Sequence, residues 1–299
     1  MKLSKSEAGA VLLYRAGFLG DVLMATAALP IIPEDLTVVF ATWKQQHPLL
    51  SLNPYVDHIL MPGQYRVRDF EHTVDLRHEE WPDFNSGKMY WGQIMAKQIA
   101  ETVPGCNGLN ECRPEIYLDA EVCRKIDRAS QKPLAFVNNW SANGVGWRLW
   151  SQDKWIELVG ILNGLGYAVV QIGGPNDPPI TGAYQAPGMS LEQSLAMMTR
   201  GCLVIGIDSF IMHVASSKIY LVDQEETTLL RDGIPGVLLS GPIAPGCVVP
   251  SGSPVKAVIG RCPNGKACGE SHGDEMCKHE NACMTSIEVE EVIECIKTL

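Results

Sequence analysis

Residues 10–30 read AVLLYRAGFLGDVLMATAALP. The run 10–14 is apolar and long enough for a buried strand. A loop punctuated by Gly17 and Gly20 follows. Asp21 then opens 22–29, rich in Ala, Leu and Met, which reads as a helix stopped by Pro30. Strand, glycine loop and helix in this order make one arm of an α/β unit. In open α/β sheets, ligands bind at the carboxyl ends of the strands, and Asp21 falls at that edge. The residues leave two uses for it. It can be an N-cap or first-turn acid that stabilises free helix N–H groups. It can also be a general base that accepts a proton from an attacking hydroxyl. The glycine spacing is not G-x-G-x-x-G, so no dinucleotide fingerprint is present.

Working outward, 36–42 (LTVVFAT), 56–61 and 73–77 read as strands, and 43–53 as a short helix despite Pro48. Residues 86–103 form a helix with Trp91, Met95, Ile99 and Val103 on one face. Residues 120–128 make a further short helix. The pattern restarts near 129–133. Residues 134–138 (LAFVN) open a second sheet, followed by a helix from Ser151 and a strand over 167–172. The box Ser190-Leu-Glu-Gln193 starts another helix. A strand over 202–207, a helix over 210–217 and a strand over 237–240 follow. The box 285–288 (TSIE) is expected to start the last helix. Strands alternating with helices imply parallel sheets. The expected organisation is an α/β domain over 1–130, a second over 131–285, and a C-terminal helix over 286–299.

Length supports two domains, at roughly 150 residues each. Of the 299 residues, 46% are hydrophobic and 19% charged, the balance of a globular chain. The formal charge of −10 argues against a nucleic-acid binder led by phosphate contacts and offers no attraction to an anionic membrane. Contact with a membrane is expected to be peripheral at most. Lys2 and Lys5 precede an apolar run that Arg15 ends, without a cleavage-like site, so no signal peptide is read there. No segment approaches the roughly 18 apolar residues of a membrane span. A reducing cytoplasm is the expected compartment, and the ten cysteines are then thiols or metal ligands.

Several stretches carry chemistry. In Gly206-Ile-Asp-Ser-Phe-Ile-Met-His213, Asp208 and Ser209 fall at a strand-to-helix turn and His213 on the helix that follows. N–H groups at such a turn favour phosphate, and Asp208 suits sugar hydroxyls. The other readings are a cap for Asp208 and a satisfied half-buried histidine for His213. Arg148 lies between Trp147 and Trp150, where a guanidinium suits two phosphate oxygens or stacks on tryptophan. Asp177 tips the turn Gly173-Gly-Pro-Asn-Asp177, which alone reads as ordinary turn chemistry. Cys262, Cys268, Cys277 and Cys283 lack the tight C-x2-C pairs of common zinc modules. They read as packed thiols or, less strongly, as a structural metal or redox-sensitive loop.

Together these stretches resemble glycosyltransferase family 9, the ADP-heptose:lipopolysaccharide heptosyltransferase group. The likeness runs through RAGFLGDVLMATAALP (15–30), NPYVDHIL (53–60), TVDL (73–76), WRLWSQDKWIEL (147–158), IGGPND (172–177) and GIDSFIMHVA (206–215), in family order. It implies a GT-B fold, two Rossmann-like domains with parallel sheets facing across a cleft. It implies an inverting transfer from a nucleotide-diphosphate sugar, such as ADP-heptose, to a glycan or glycolipid acceptor such as lipopolysaccharide core. No metal or other cofactor is implied. By position, Asp21 would be the catalytic base. Arg148, Asp177, Asp208, Ser209 and His213 would bind the donor, and Arg15 and Gly20 the acceptor or the phosphates. Two departures stand out. Phe210 occupies a place where the family usually has glycine. Residues 218–232 are an acidic insert, read as a lid, an interface or a decoration. The rival readings are a GT-B-like sugar-nucleotide epimerase and a non-catalytic sugar-nucleotide binder.

Overall fold

A computed structural model describes residues 9–77, 88–106, 112–126, 131–141, 148–186, 188–224, 226–263 and 279–299. The opening stretch folds as β1 (Ala10–Tyr14) and α1 (Leu19–Thr26). Strands β2 (Thr37–Ala41), β3 (His58–Leu60) and β4 (His72–Asp75) join β1 in a parallel sheet of order β3-β2-β1-β4. Val11 and Leu13 of β1 face the main core, with Val38 and Phe40 of β2. The alternate residues Leu12, Val39 and Ala41 face the other way. Among the described residues no α-helix covers them. Tyr14, Leu60, Tyr65 and Phe70 do, the last two from the segment between β3 and β4. This is why β1 reads as a continuous apolar run rather than an alternating one: both its faces are buried.

Helix α2 (Trp91–Thr102) packs Ile94, Met95 and Ile99 on the core face of this sheet. The chain then forms β5 (Glu115–Asp119) and α3 (Ala120–Lys125) before entering the second half. There β6 (Leu134–Asn138), α4 (Gln152–Gly164), β7 (Ala168–Gln171), β8 (Tyr184–Gln185), α5 (Leu191–Met198), β9 (Gly201–Ile207) and α6 (Phe210–Ser216) follow in order. Strands β10 (Lys218–Asp223), β11 (Glu226–Asp232) and β12 (Gly236–Ser240), helix α7 (Pro245–Val248), strand β13 (Val255–Ile259) and helices α8 (Ala282–Thr285) and α9 (Val289–Ile296) complete the described chain. The six-stranded sheet has order β13-β12-β9-β6-β7-β8 and is parallel throughout. Ala135, Val137, Val169, Ile205 and Leu239 face one way, onto Trp155, Leu158 and Leu162 of α4 and Val289 and Val292 of α9. Each Val, Leu or Ile side chain among them, fully buried, contributes about 1.5–3 kcal/mol. Phe136, Val204 and Leu238 face the other way, into the core that also holds Val11, α1 and α2. The two halves therefore share one apolar cluster, and α1 packs directly on α6.

The insert, read as a lid, an interface or a decoration, is built into a sheet with the end of the first half. It is the hairpin β10–β11, and β10 pairs in parallel with β5 from the end of the first half. Tyr117 of β5 and Tyr220 of β10 stack with ring centroids 4.8 Å apart and 9° between planes. Tyr117 donates to the Glu115 carboxylate at 2.6 Å, and the Glu115 N–H donates to Thr26 Oγ1 at 2.9 Å. Burial pushes Glu115 above the usual carboxylate range, opposed by its bond from Tyr117 and by Lys218 and Tyr220. Arg113, buried, donates to the Ser216 carbonyl from Nε at 3.2 Å and from Nη2 at 3.1 Å, and pairs with Asp232 at 2.5 Å.

Several expectations shift at their edges. Helix α1 starts at Leu19, three residues ahead of the expected Val22, because Phe18 takes the cap position and Asp21 falls in the first turn. The expected helix over 43–53 is a 3-10 turn, Lys44–Leu49, since Pro48 has no N–H to extend an α-helix. The expected helix over 86–103 begins at Trp91 in the described residues. The box 285–288 does not start the last helix. Thr285 ends α8, and Glu288 precedes α9 with its own N–H donating to Glu291 at 3.0 Å. Strands β5, β8, β10, β11 and β13 had no counterpart in the reading from sequence.

Arg113 holds the hairpin to the end of α6, so Arg113→Ala is expected to lower unfolding free energy by about 2–3 kcal/mol. Asp232→Asn removes only the exposed partner and is expected to cost under about 1 kcal/mol. Urea denaturation midpoints of the two variants measure the difference.

Candidate active site

The first side of the site is the loop between β1 and α1. Arg15, 3% exposed, leaves the strand with its N–H donating to the Ala41 carbonyl at 3.1 Å. Its carbonyl accepts from the Thr42 hydroxyl at 2.7 Å. Gly17 has no room for a side chain, because a β-carbon there would lie 2.4 Å from Asp21 Oδ2. The same Oδ2 accepts from the Phe18 N–H at 2.7 Å, and Oδ1 pairs with Arg15 Nη2 at 2.9 Å. Asp21 is thus the first-turn acid of its first reading, accepting from the N–H of the cap residue Phe18. It also keeps its side chain 18% exposed at the carboxyl end of β1. The carboxylate is fixed from two sides.

The second side is the switch point of the larger sheet. Strands β6 and β9 are neighbours, and the strand order runs outward from them in opposite directions. The crevice at their carboxyl ends is where such sheets take ligands. Asn138 ends β6, and its Nδ2 donates to the Ile172 carbonyl at 2.9 Å. Ser209 precedes α6 and donates to Asn138 Oδ1 at 2.8 Å rather than accepting from the helix N–H groups. Asp208 is not a cap. It is 7% exposed, with Oδ2 3.0 Å from Arg148 Nη1. Trp150 turns away into the core, edge-on to Trp155 at 5.1 Å, with its indole N–H on the Ile287 carbonyl at 3.0 Å. Arg148 and Asp208 line a recess with Ser240, Gly241, Pro242 and Met284, with a cavity volume of about 10 Å³, the room of one water.

The two sides meet at His213. A β-carbon on Gly20 would stand 3.0 Å from His213 Cδ2 and 3.9 Å from Phe210 Cα, so the glycine lets α1 reach α6. His213 is 4% exposed, and its Nε2 lies 3.9 Å from Asp208 Oδ1. Burial pushes its imidazole below the usual value, while the carboxylates of Asp208 and Asp21 pull it back up. Arg15–Asp21, Gly20–His213 and Asp208–Arg148 therefore form a continuous chain of contacts from one half to the other.

Asp177 stays outside that chain. Its Oδ2 accepts from the Gly174 N–H at 2.9 Å, and burial pushes the carboxyl above its usual range, opposed by that bond. It adjoins the site through Gly173, whose missing β-carbon would lie 3.5 Å from Asn138 Nδ2. The turn is held by a buried amide network that the sequence reading missed. Gln171 Nε2 donates to Asn139 Oδ1 and to the Pro178 carbonyl, both at 2.9 Å, and Asn139 Nδ2 donates to the Pro178 carbonyl at 2.9 Å. Two asparagines and a glutamine closing apolar strands were the available signal. Of the tail cysteines, Cys262 and Cys283 pack with the second core; Cys268 and Cys277 lie outside the described residues. Among the described residues, no three His, Cys, Asp or Glu groups gather as metal ligands.

No protein-family model and no curated protein sequence matches the chain. Solved structures do. The chain is similar to a family 9 glycosyl transferase from Veillonella parvula, with a TM-score of 0.70, 15% identity and coverage of 99% of this chain and 98% of that one. It is similar to the E. coli heptosyltransferase WaaC, solved with ADP-2-deoxy-2-fluoro heptose, with a TM-score of 0.62 at 12% identity over 97% and 99% of the two chains. It is also similar to TibC, an iron-containing dodecameric glycosyltransferase from enterotoxigenic E. coli, with a TM-score of 0.70 at 16% identity over 99% of this chain and 77% of that one. The fold is theirs: two parallel α/β halves, as expected for GT-B.

The site carries an acid signature. His213 is held neutral by burial, so the unfolded chain takes up its proton first as pH falls. Its contribution is complete above about pH 6.5 and is lost below it. Glu115 and Asp177, raised by burial, act with the opposite sign at lower pH. Denaturation midpoints measured from pH 7.5 to 5 should fall more steeply for the wild type than for His213→Gln.

Proposed function

We propose that the chain is an inverting glycosyltransferase of the family 9 kind, taking its sugar from a nucleotide-diphosphate sugar. The observation that carries this is the placement of Asp21, oriented by Arg15 and the Phe18 N–H, opposite Asp208 and Arg148 at the switch point of the second sheet.

In this reading Asp21 takes the proton from an acceptor hydroxyl as that oxygen attacks the anomeric carbon. The bond from the anomeric carbon to the diphosphate breaks on the opposite face, so the configuration inverts. Positive charge grows on the sugar ring and negative charge on the leaving diphosphate. Arg148 and the N–H groups after Asp208 face the leaving group and stabilise its charge without a metal. Asp208, Ser209, His213 and Asp177 set the donor side; Arg15 and Gly20 set the acceptor side. His213, buried against Gly20, serves by holding α6 in register with Asp21. ADP-heptose is the donor we favour, because WaaC, of the same fold, was solved with an ADP-heptose analogue. A glycan such as lipopolysaccharide core is the acceptor class. No helix among the described residues is long and apolar enough to cross a membrane.

Asp21→Asn keeps the shape and removes the base. Transfer from ADP-heptose should fall by about 10²–10⁴-fold, with the donor dissociation constant unchanged by calorimetry. Undiminished transfer would reject the assignment, and nucleotide binding with no donor consumed by the wild type would favour a non-catalytic binder.

A further inference from the structure

Two large aromatic side chains stand in solvent on the sheet edge that carries Asp21. Phe18 is 55% exposed and Trp43 46%. Neither position calls for an aromatic ring. Phe18 caps α1 and Trp43 caps the 3-10 turn Lys44–Leu49. A cap favours Ser, Thr, Asp or Asn, whose side chain accepts from a free N–H; phenyl and indole rings cannot. These rings serve neither the helix start nor the core.

The backbone beneath them is fixed. The Phe18 carbonyl accepts from the Asp21 and Val22 N–H groups at 3.1 and 3.3 Å. The Trp43 N–H donates to Gln46 Oε1 at 3.1 Å, and its carbonyl accepts from the Gln46 N–H at 2.9 Å. Gln46, 1% exposed, then spans the two loops, with its Nε2 donating to the Gly17 carbonyl. Thr42, also buried, holds the Arg15 carbonyl. One buried amide and one buried hydroxyl thus clamp the loop of Phe18 to the loop of Trp43, beside the carboxylate. A contact surface whose backbone is already ordered loses little freedom on binding.

We infer that Phe18 and Trp43 are the acceptor platform, and that the acceptor is recognised there as a saccharide. This rests on the reading of Asp21 as base. A sugar ring presents a C–H face that suits the electron-rich face of an aromatic ring. Its hydroxyls lie at the ring edge, where one can reach Asp21, the exposed member of the ion pair with Arg15. An acyl chain would use the rings and offer nothing to the ion pair. The donor half, with Arg148 and Asp208, lies across the α1–α6 contact.

The test uses the full-length protein and the deacylated core oligosaccharide of lipopolysaccharide as probe. Phe18→Ala and Trp43→Ala should each raise the KM for this oligosaccharide about tenfold, with kcat and the donor KM held within about twofold. Trp43→Tyr, which keeps a ring, should restore most of the loss. Titrating the oligosaccharide should change tryptophan emission in the wild type and in Asp21→Asn, and not in Trp43→Phe. Unaltered acceptor KM in both alanine variants, a rise confined to the donor KM, or a wild type that responds only to the acylated glycolipid would overturn the platform. If Asp21→Asn transfers normally while the alanine variants lose acceptor affinity, the base assignment fails and the platform stands.

Discussion

The arrangement depends on one close approach. Helix α1 meets α6 where Gly20 leaves space for the His213 ring. A methyl group at position 20 would stand 3.0 Å from that ring. The approach brings an acid at the end of one sheet to the switch point of another. It also buries His213, and that burial holds the imidazole below its usual value against the opposing pull of Asp208 and Asp21. Core packing and the site are thus settled by the same contact: the shared apolar cluster holds the helices together, and the polar chain Arg15–Asp21, His213, Asp208–Arg148 runs along its margin.

Much of this was legible in the sequence where one local rule decides the structure. The apolar run 10–14 became β1 with the expected ends, and the capping box at Ser190 started α5. Asp21, Asp208 and Ser209 were expected at strand-to-helix turns and lie there. What the sequence did not yield depended on partners far away. Strand β5 is short and polar at both ends, and it is a strand because β10 pairs with it about a hundred residues later. The box at 285–288 satisfies the pattern but loses to the helical turn that Thr285 already closes. Asn138, Asn139 and Gln171 look like strand ends; only the folded sheet shows that their amides fasten the loops around the switch point.

The acids of the site divide by environment. Asp21 and Asp208 each have a guanidinium partner, Arg15 and Arg148, so charges of both signs are brought together at the margin of the core. Asp177 has, among the described residues, a backbone N–H for its partner, and burial raises it. That difference separates two carboxylates built into the junction from one built into a turn. Trp150 does not stack on Arg148, because it packs edge-on to Trp155 and donates to the Ile287 carbonyl; Trp147 lies outside the described residues.

The hairpin β10–β11 has a consequence for how the molecule comes apart. It extends from the second half, yet β10 completes its hydrogen bonding on β5 at the end of the first. Arg113 and the Tyr117–Tyr220 stack fasten the same seam. With the apolar cluster also shared, neither half can lose its structure without stripping a surface from the other. The two halves are separate in sheet topology and joined in cooperativity, so the chain should melt as one unit, and either half expressed alone would expose an unfinished core.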